Sequence, residues 1–413
     1  MMITKLPWAR ESFGAALFLA CHVGGSVLAA PLTTGSDSVT IPFSGGVNPI
    51  TGLLQGSPAL NAVFPGGQQD TFIMDTGSAG MVVYNTPFTP AAGATPAYSN
   101  VIQAYKSNNL LFQGDVYYTS IEFGTPGNSV TANVPVLFAT QQSCAVGNQC
   151  SLASSWRFMG VGFGEPPGGN TTWPINSTQR NPLFQITQIN GVPAAPTKGW
   201  IMASDGITVG LTPANTGGFN PAGLEGLNSS SDGFNRGGAA VFASPTVAGQ
   251  APPTPPPGPF SGTVLVDSGV SYAMMVLDPG APPPLTTTCN SYDGTKVCTD
   301  NGYTITVYLG NPSAPTMYQV ITGTGGTASA SPFDVAAPDF INQLSDTAAF
   351  WNTSFYFYNA YNYLFDSESA QVGYRTVSAV PGPLSLTGAA AALCWCRRLR
   401  RRVLRAKNSS SQP

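Results

Sequence analysis

Two stretches of this chain repeat one pattern across a wide gap. Residues 69–84 read QDTFIMDTGSAGMVVY, and residues 260–275 read FSGTVLVDSGVSYAMM. Each is an apolar run of strand character that ends in an acid, a small hydroxyl residue and a glycine, and then resumes as a second apolar run. The acids are Asp75 and Asp267, 192 positions apart. A carboxylate at the end of a buried strand is costly unless something there satisfies or uses it. A motif repeated once at this distance is not a short-period solenoid. It asks for a fold that makes the same local form twice and lets the two acids meet.

Paired acids have a defined chemistry. Two carboxylates within hydrogen-bond reach cannot both ionise cheaply, so one pKa rises and they share a proton. The ionised member can activate a water while the protonated member polarises a carbonyl. The hydroxyls of Thr76 and Ser268 can bond across to the opposite loop and hold the acids in register. Gly77 and Gly269 allow a tight turn and offer their N–H groups to the carboxylates. Other catalytic chemistries lack their residues. The one histidine is His22, in a segment read below as a leader. That excludes a Ser-His-Asp triad, a Cys-His pair and histidine-bound zinc in the body of the chain. Beyond the two ends, the lysines are Lys106, Lys198 and Lys296. Acid–base work therefore falls on carboxylates, and no cofactor or metal is expected.

Composition sets the fold class. Charged residues are 8%, with 47 Gly and 37 Pro, and long amphipathic helical periods are nearly absent. This predicts an all-β chain with many turns. At 413 residues it is long enough for two lobes, each with a core.

The paired motif resembles that of the pepsin-like aspartic proteases, and the resemblance extends over most of residues 45–376. Asp75-Thr76-Gly77-Ser78 matches the first active-site loop, and Asp267-Ser268-Gly269 matches the second. RFMGVGFG (157–164) is similar to the segment that crosses behind the first loop, and NPLFQI (181–186) to the short helix after it. GWIMASDGITVGL (199–211) is similar to the strand pair leading between lobes, and FYFYNAYNYLFDSESAQVGY (355–374) to the last strands. The resemblance implies a bilobal fold of two β-barrel-like lobes, an active-site cleft between them, and Asp75 and Asp267 as catalytic acids. It also implies a hairpin flap over the cleft. NVIQAYKSNNLLFQGDVYYTSIEFG (100–124) fits that role, with its tip near Lys106 to Asn109 and Tyr105 as the flap tyrosine. Tyr117 and Tyr118 are rivals placed on the returning strand.

The chain departs from the family pattern at three places. Val270 stands where the second loop usually has a hydroxyl, while Ser78 keeps one in the first. Retroviral proteases, whose loop is similar, carry Ala there. Loss of this donor predicts an asymmetric pair, a raised pKa on the Asp267 side and activity reaching less acidic pH. Ser354, in FWNTSF, stands where the second crossing segment should have Gly. The region 223–259 is long and rich in Gly, Ser and Pro, ending in a polyproline-like spacer, and PGAPPP (279–284) is a second such piece.

Both ends read as addresses. Lys5 and Arg10 precede FGAALFLACHVGGSVLAA, a secretory leader with cleavage expected near Ala29. A lipoprotein reading through Cys21 fits less well, because Phe18 stands where a small aliphatic residue is usual. At the other end, VPGPLSLTGAAAALCWCRRLRRRVLR resembles the bacterial PEP-CTERM sorting signal: a Pro-Gly-Pro turn, an alanine-rich run, then Arg397, Arg398, Arg400, Arg401 and Arg402. The resemblance implies export, transient membrane retention and an exosortase-type processing partner. A plain C-terminal membrane anchor with a positive flank is the alternative. Seven of the 16 basic residues lie between Arg397 and Lys407, and Lys5 and Arg10 precede residue 31. The body keeps seven against 18 acids, which disfavours nucleic acid as a partner.

Cysteine spacing agrees with export. Cys144 and Cys150, and Cys289 and Cys298, each close a short loop and read as local disulfides. Zinc is the rival reading, but neither pair is C-x-x-C and no histidine is near. Cys394 and Cys396 lie in the tail.

The expected division is a leader over 1–30 and an N-terminal lobe over 31–205 with the Asp75 loop and flap. A C-terminal lobe over 206–378 carries Asp267, and a sorting tail covers 379–413. The expected function is an exported, monomeric aspartic endopeptidase acting on extended polypeptide. The other class is a pepsin-like binding or structural module without turnover. GVGFG (160–164) lacks the spacing of a nucleotide loop, Asp115, Glu122 and Glu165 share no glycosidase-like surroundings, and period-two alternation in FYFYNAYNY reads as core packing in strands.

Overall fold

In a computed structural model the described residues are 31–105, 109–145, 150–163, 171–226, 234–238, 244–247, 263–276, 286–291, 294–310, 314–322, 338–339, 341–343 and 350–377. The expected leader, the sorting tail, the proline-rich pieces at 248–262 and 279–284, and residues 106–108 of the hairpin tip lie outside them.

The repeated motif becomes a repeated three-strand unit. Strand Gln69–Asp75 runs parallel to Trp156–Val161, with Asp75 opposite Gly160. Strand Ala79–Tyr84 lies antiparallel on the other side of Trp156–Val161, with Gly80 opposite the same Gly160. The second unit repeats this. Thr263–Leu265 is parallel to Phe350–Asn352, and Ala273–Val276 is antiparallel to it. Parallel partners need long crossovers, which is why each crossing strand comes so late in sequence. The registers superimpose. Phe158 is opposite Ile73 two steps before Asp75, and Asn352 is opposite Leu265 two steps before Asp267. Position by position, Ser354 then corresponds to Gly160, Asn352 to Phe158 and Val270 to Ser78.

Among the described residues a thirteen-stranded sheet ties the two halves together. Its order begins Val39–Pro42, Gly206–Val209, Gly199–Met202, Tyr361–Asp366, Gln371–Thr376, Asn220–Gly226. It continues through Phe234–Gly238 to the second acid strand. The strand pair expected within 199–211 is therefore present. A ten-stranded sheet holds the first acid, and a three-stranded one packs Ser244–Val247, Tyr303–Leu309 and Thr316–Ile321. At the junction, Phe365 lies 4.7 Å from Phe163, 5.6 Å from Phe184 and 5.5 Å from Trp200 between ring centroids. Burying side chains of this size contributes about 2 kcal/mol each.

Among the described residues helix is confined to short turns: Ser177–Arg180, closed by an Asn176 capping box, and the 3-10 turns Pro182–Phe184 and Phe355–Asn359. The last of these corrects the sequence reading. Residues 355–359 are buried core as expected, but they form a helical turn, and strand begins only at Tyr361. The alternation of Phe and Tyr misled because all five side chains are buried, so no face of the segment is polar.

The hairpin over 100–124 forms from Tyr98–Tyr105 and Leu110–Thr125, with Tyr105 opposite Leu110. A third strand, Asn128–Cys144, pairs with the returning arm from Thr125 opposite Asn128 to Leu110 opposite Cys144. The Cys144–Cys150 disulfide sits at that far end, where Ala145 N–H donates to Asn109 O at 2.9 Å. Lone two-stranded ribbons are marginal; this one is braced along its full length. In the second half Cys298 is buried and disulfide-bonded. Its expected partner, Cys289, is on the facing strand of the 286–299 hairpin, with its side chain outside the described residues.

Candidate functional site

Four crossed hydrogen bonds join the two acid loops. Thr76 N–H donates to Ser268 Oγ at 2.9 Å, and Ser268 N–H donates to Thr76 Oγ1 at 3.0 Å. Each hydroxyl then donates to the opposite strand end, Thr76 to Val266 O at 2.5 Å and Ser268 to Met74 O at 2.7 Å. The sequence reading assigned these hydroxyls to holding the loops in register, and the bonds have that form. Both residues are buried, so each bond replaces water that is not there. Tyr358, from the turn Phe355–Asn359, adds a contact to Thr76 Oγ1 at 3.0 Å.

The grip brings Asp75 and Asp267 together, buried and hydrogen-bonded to each other through their carboxyls. Each inner oxygen accepts from the glycine two residues on: Gly77 N–H to Asp75 Oδ1 at 2.7 Å, and Gly269 N–H to Asp267 Oδ1 at 2.8 Å. Each outer oxygen accepts from a side chain: Ser78 Oγ–H to Asp75 Oδ2 at 2.5 Å, and Asn352 Nδ2–H to Asp267 Oδ2 at 2.7 Å. The donor expected to be missing at Val270 is therefore supplied from the crossing strand.

Burial raises the pKa of both carboxyls. Asp75 is pushed well above the usual range, first by burial and then by the charge of Asp267, against the bonds from Ser78 and Gly77. Asp267 is raised by burial and held back by Asn352, Gly269 and the bond from Asp75. Both carboxyls are thus easier to protonate than a free aspartate, which is the condition for a pair that shares one proton.

The two glycines are needed for space. Neither Gly77 nor Gly269 adopts a positive φ, so the expected strained turn is not the reason for them. A Cβ on Gly77 would fall 2.7 Å from Asp267 Cγ, and one on Gly269 would fall 2.7 Å from Asp75 Oδ1. Each loop leaves room for the other's acid. Gly160 and Gly162 of the first crossing segment are equally tight: a Cβ would lie 2.7 Å from Ala79 N at the first and would overlap Thr76 O at the second.

Ser354 holds the place of Gly160 and shows what that costs. Its backbone lies at φ 70°, ψ 169°, a region that glycine alone adopts freely. Its hydroxyl is buried with no hydrogen-bond partner among the described residues. Ser354→Gly is expected to raise thermal stability by about 1 kcal/mol net, strain relief of about 1–3 kcal/mol being partly offset by the chain entropy of glycine. The check is the melting temperature, which should rise by a few degrees; a fall would show that the strain is absent.

Tyr105 ends the first arm of the hairpin and is buried in an aromatic cluster. Its ring lies 5.2 Å from Trp156 and 5.5 Å from Phe158, which stack on each other at 4.1 Å. Phe158 is opposite Ile73, two residues before Asp75, so the cluster that buries the tyrosine ring lies on the crossing strand beside the acid strand. Tyr117 packs on Phe138, and Tyr118 is exposed; both are on the returning strand as expected. Sequence reasoning missed Asn352 and Tyr358. The one signal for Asn352 was a polar residue inside FWNTSF, and its meaning depends on knowing the register of that strand.

No family model matches the sequence, and no curated protein matches it. Solved structures do. The aspartic proteinase from Irpex lacteus superposes with a TM-score of 0.51 at 13% identity, over 84% of this chain and 99% of its own. At that identity the likeness shows the fold, and the fold is the bilobal, nearly all-β pepsin-like one.

Proposed function

We propose that this protein is an aspartic endopeptidase, hydrolysing peptide bonds in extended polypeptide with Asp75 and Asp267 as its acids. One observation carries the reading: two buried carboxyls hydrogen-bonded to each other, each seated in the gap left by a glycine of the opposite loop. Asp267, ionised, takes a proton from a water lodged between the acids. The water oxygen bonds to the scissile carbonyl carbon while the Asp75 O–H protonates the carbonyl oxygen. The resulting diol collapses as the C–N bond breaks. Asp75 takes back a proton from a diol hydroxyl as Asp267 passes its proton to the departing nitrogen, so the acid and the amine leave and the pair again holds one proton. No metal or cofactor enters these steps.

The finer reading concerns setting. The Cys144–Cys150 disulfide supports an oxidising compartment. With the leader and the arginine-ended tail it supports an exported monomer whose tail an exosortase-type enzyme processes, with lobes over 31–205 and 206–378. The test is digestion of denatured casein by the purified protein from acidic to neutral pH, with and without pepstatin. Cleavage that pepstatin blocks is expected. No cleavage at any pH would leave a pepsin-like binding module, and pepstatin-insensitive cleavage would place the chemistry elsewhere.

A further inference from the structure

We infer that Asn352 is a positioning residue that holds Asp267 as the ionised member of the pair, doing in the second half with an amide what Ser78 does in the first with a hydroxyl. The inference deepens the proposed peptidase reading and, for its kinetic part, rests on it.

The internal repeat carries the argument. Register makes Val270 the counterpart of Ser78, and Asn352 the counterpart of Phe158. One polar and one apolar residue have changed places between the two halves. In the first, the loop supplies the donor and the crossing-strand residue, Phe158, is apolar. In the second, the loop residue is buried Val270, with no polar atom, and the crossing strand supplies the donor. The bonds match oxygen for oxygen: Oδ1 takes a glycine N–H and Oδ2 takes the side chain, at both acids.

An amide and a hydroxyl are not equivalent donors. The serine hydroxyl can turn and accept, so it suits Asp75 whether or not that oxygen is protonated. The Asn352 amide cannot turn. Its Oδ1 accepts from Ser354 N–H at 3.2 Å, and flipping it would set Oδ1 against a carboxylate and Nδ2 against an N–H, two repulsions in place of two bonds. A fixed N–H donor serves a carboxylate oxygen that accepts, and it opposes a proton on that oxygen. The exchange of residues therefore fixes which acid is the base. The other titratable groups facing Asp267 are Asp75, across the pair, and Tyr358, behind Thr76. Burial raises Tyr358 well above its usual value, so it stays neutral and Asp75 alone competes for the proton.

The test uses Asn352→Leu, close in volume and without a donor, and Asn352→Leu combined with Val270→Thr, which returns a donor by the route of the first loop. Two readouts separate the claims. One is NMR titration of the aspartate carboxyls in protein labelled with ¹³C at that position, which needs no activity. The other is the acidic limb of the pH dependence of kcat/KM. Losing a donor to the ionised form raises the pKa, so in Asn352→Leu both should move upward by about one pH unit, with kcat about tenfold lower or more. The double variant should return both to near the native positions. A purely structural asparagine would lower stability and rate without moving either titration and without rescue. A folded Asn352→Leu chain with an unmoved carboxyl titration overturns the inference, and so does failure of both variants to fold. If the native chain cleaves nothing, the peptidase reading fails, and the carboxyl titration still decides the role of Asn352.

Discussion

Asp75→Asn and Asp267→Asn should each reduce peptide-bond cleavage by about 10³-fold or more, and Asp75→Asn should yet, at neutral pH, melt at a higher temperature than the native protein. The loss of activity follows from the division of labour, since one acid must accept a proton while the other donates one. An amide can neither release its N–H proton nor take one up near neutral pH. The gain in stability follows from burial. Both carboxyls have folded-state pKa values raised by desolvation. Above the pKa of an unfolded aspartate, about 3.9, the folded chain therefore holds protons that the unfolded chain has released. Their favourable contribution is fully present below that value and is lost as pH rises through the folded-state pKa values. A neutral amide of the same shape removes this loss. In Asp75→Asn the new amide nitrogen can take the outer position, where the Ser78 hydroxyl turns to accept from it, while Oδ1 keeps the bond from Gly77 N–H. The difference in melting temperature should narrow toward zero at low pH. Activity retained in both variants would end the dyad mechanism. A lower melting temperature at neutral pH would mean that the pair is not held at the expense of stability.

Gly77→Ala is the second large effect. Its Cβ would lie 2.7 Å from Asp267 Cγ and 2.8 Å from both carboxylate oxygens. Asp267 cannot swing away, because Gly269 N–H and Asn352 hold its two oxygens. One loop must shift, and overpacking of this kind costs about 1–3 kcal/mol. A displacement of about an ångström at reacting groups can cost about 10²-fold in rate, so kcat should fall by about that factor or more while the chain still folds. Gly269→Ala should behave likewise from the other side, where the added carbon meets Asp75 Oδ1 at 2.7 Å. Gly223→Ala, with nothing within 4 Å of its added carbon, is the control and should be silent. Native kcat in Gly77→Ala would show that the loops are not packed as described.

Much of this site was legible because its parts sit inside one short motif. Asp75, Thr76 and Gly77, and their counterparts from Asp267 to Gly269, carry both the chemistry and the cross-loop bonds within a few residues of sequence. Ser354 was legible as an anomaly for the same reason: a glycine position can be counted from the pattern, though the φ of 70° found there is a feature that its counterpart Gly160 does not share. What could not be read depends on register between distant strands. Asn352 reaches Asp267 across 85 positions, and Tyr358 reaches Thr76 across 282. No local pattern marks either. Val270 was correctly seen as lacking a donor, but a missing group in a loop says nothing about what a crossing strand can supply. The 3-10 turn at Phe355–Asn359 was missed because a wholly buried aromatic segment has no polar face to reveal its period.

The order of the long sheet bears on how the chain is made. Tyr361–Asp366 and Gln371–Thr376 lie between Gly199–Met202 and Asn220–Gly226. Until residue 376 has been synthesised, those two flanking strands each present an open edge, and the turn that carries Tyr358 lacks the Tyr361 and Tyr374 rings that pack on Phe357. Asn359, which bonds both the N–H and the carbonyl of Leu54, also arrives late. A growing chain therefore carries both acids well before it can hold them together. Such a chain is slow to fold and exposed to edge pairing while it waits. On the proposed peptidase reading, the joining of the acids is timed by the chain's own last strands, and a product truncated before them would be inert and a burden to the cell's folding machinery.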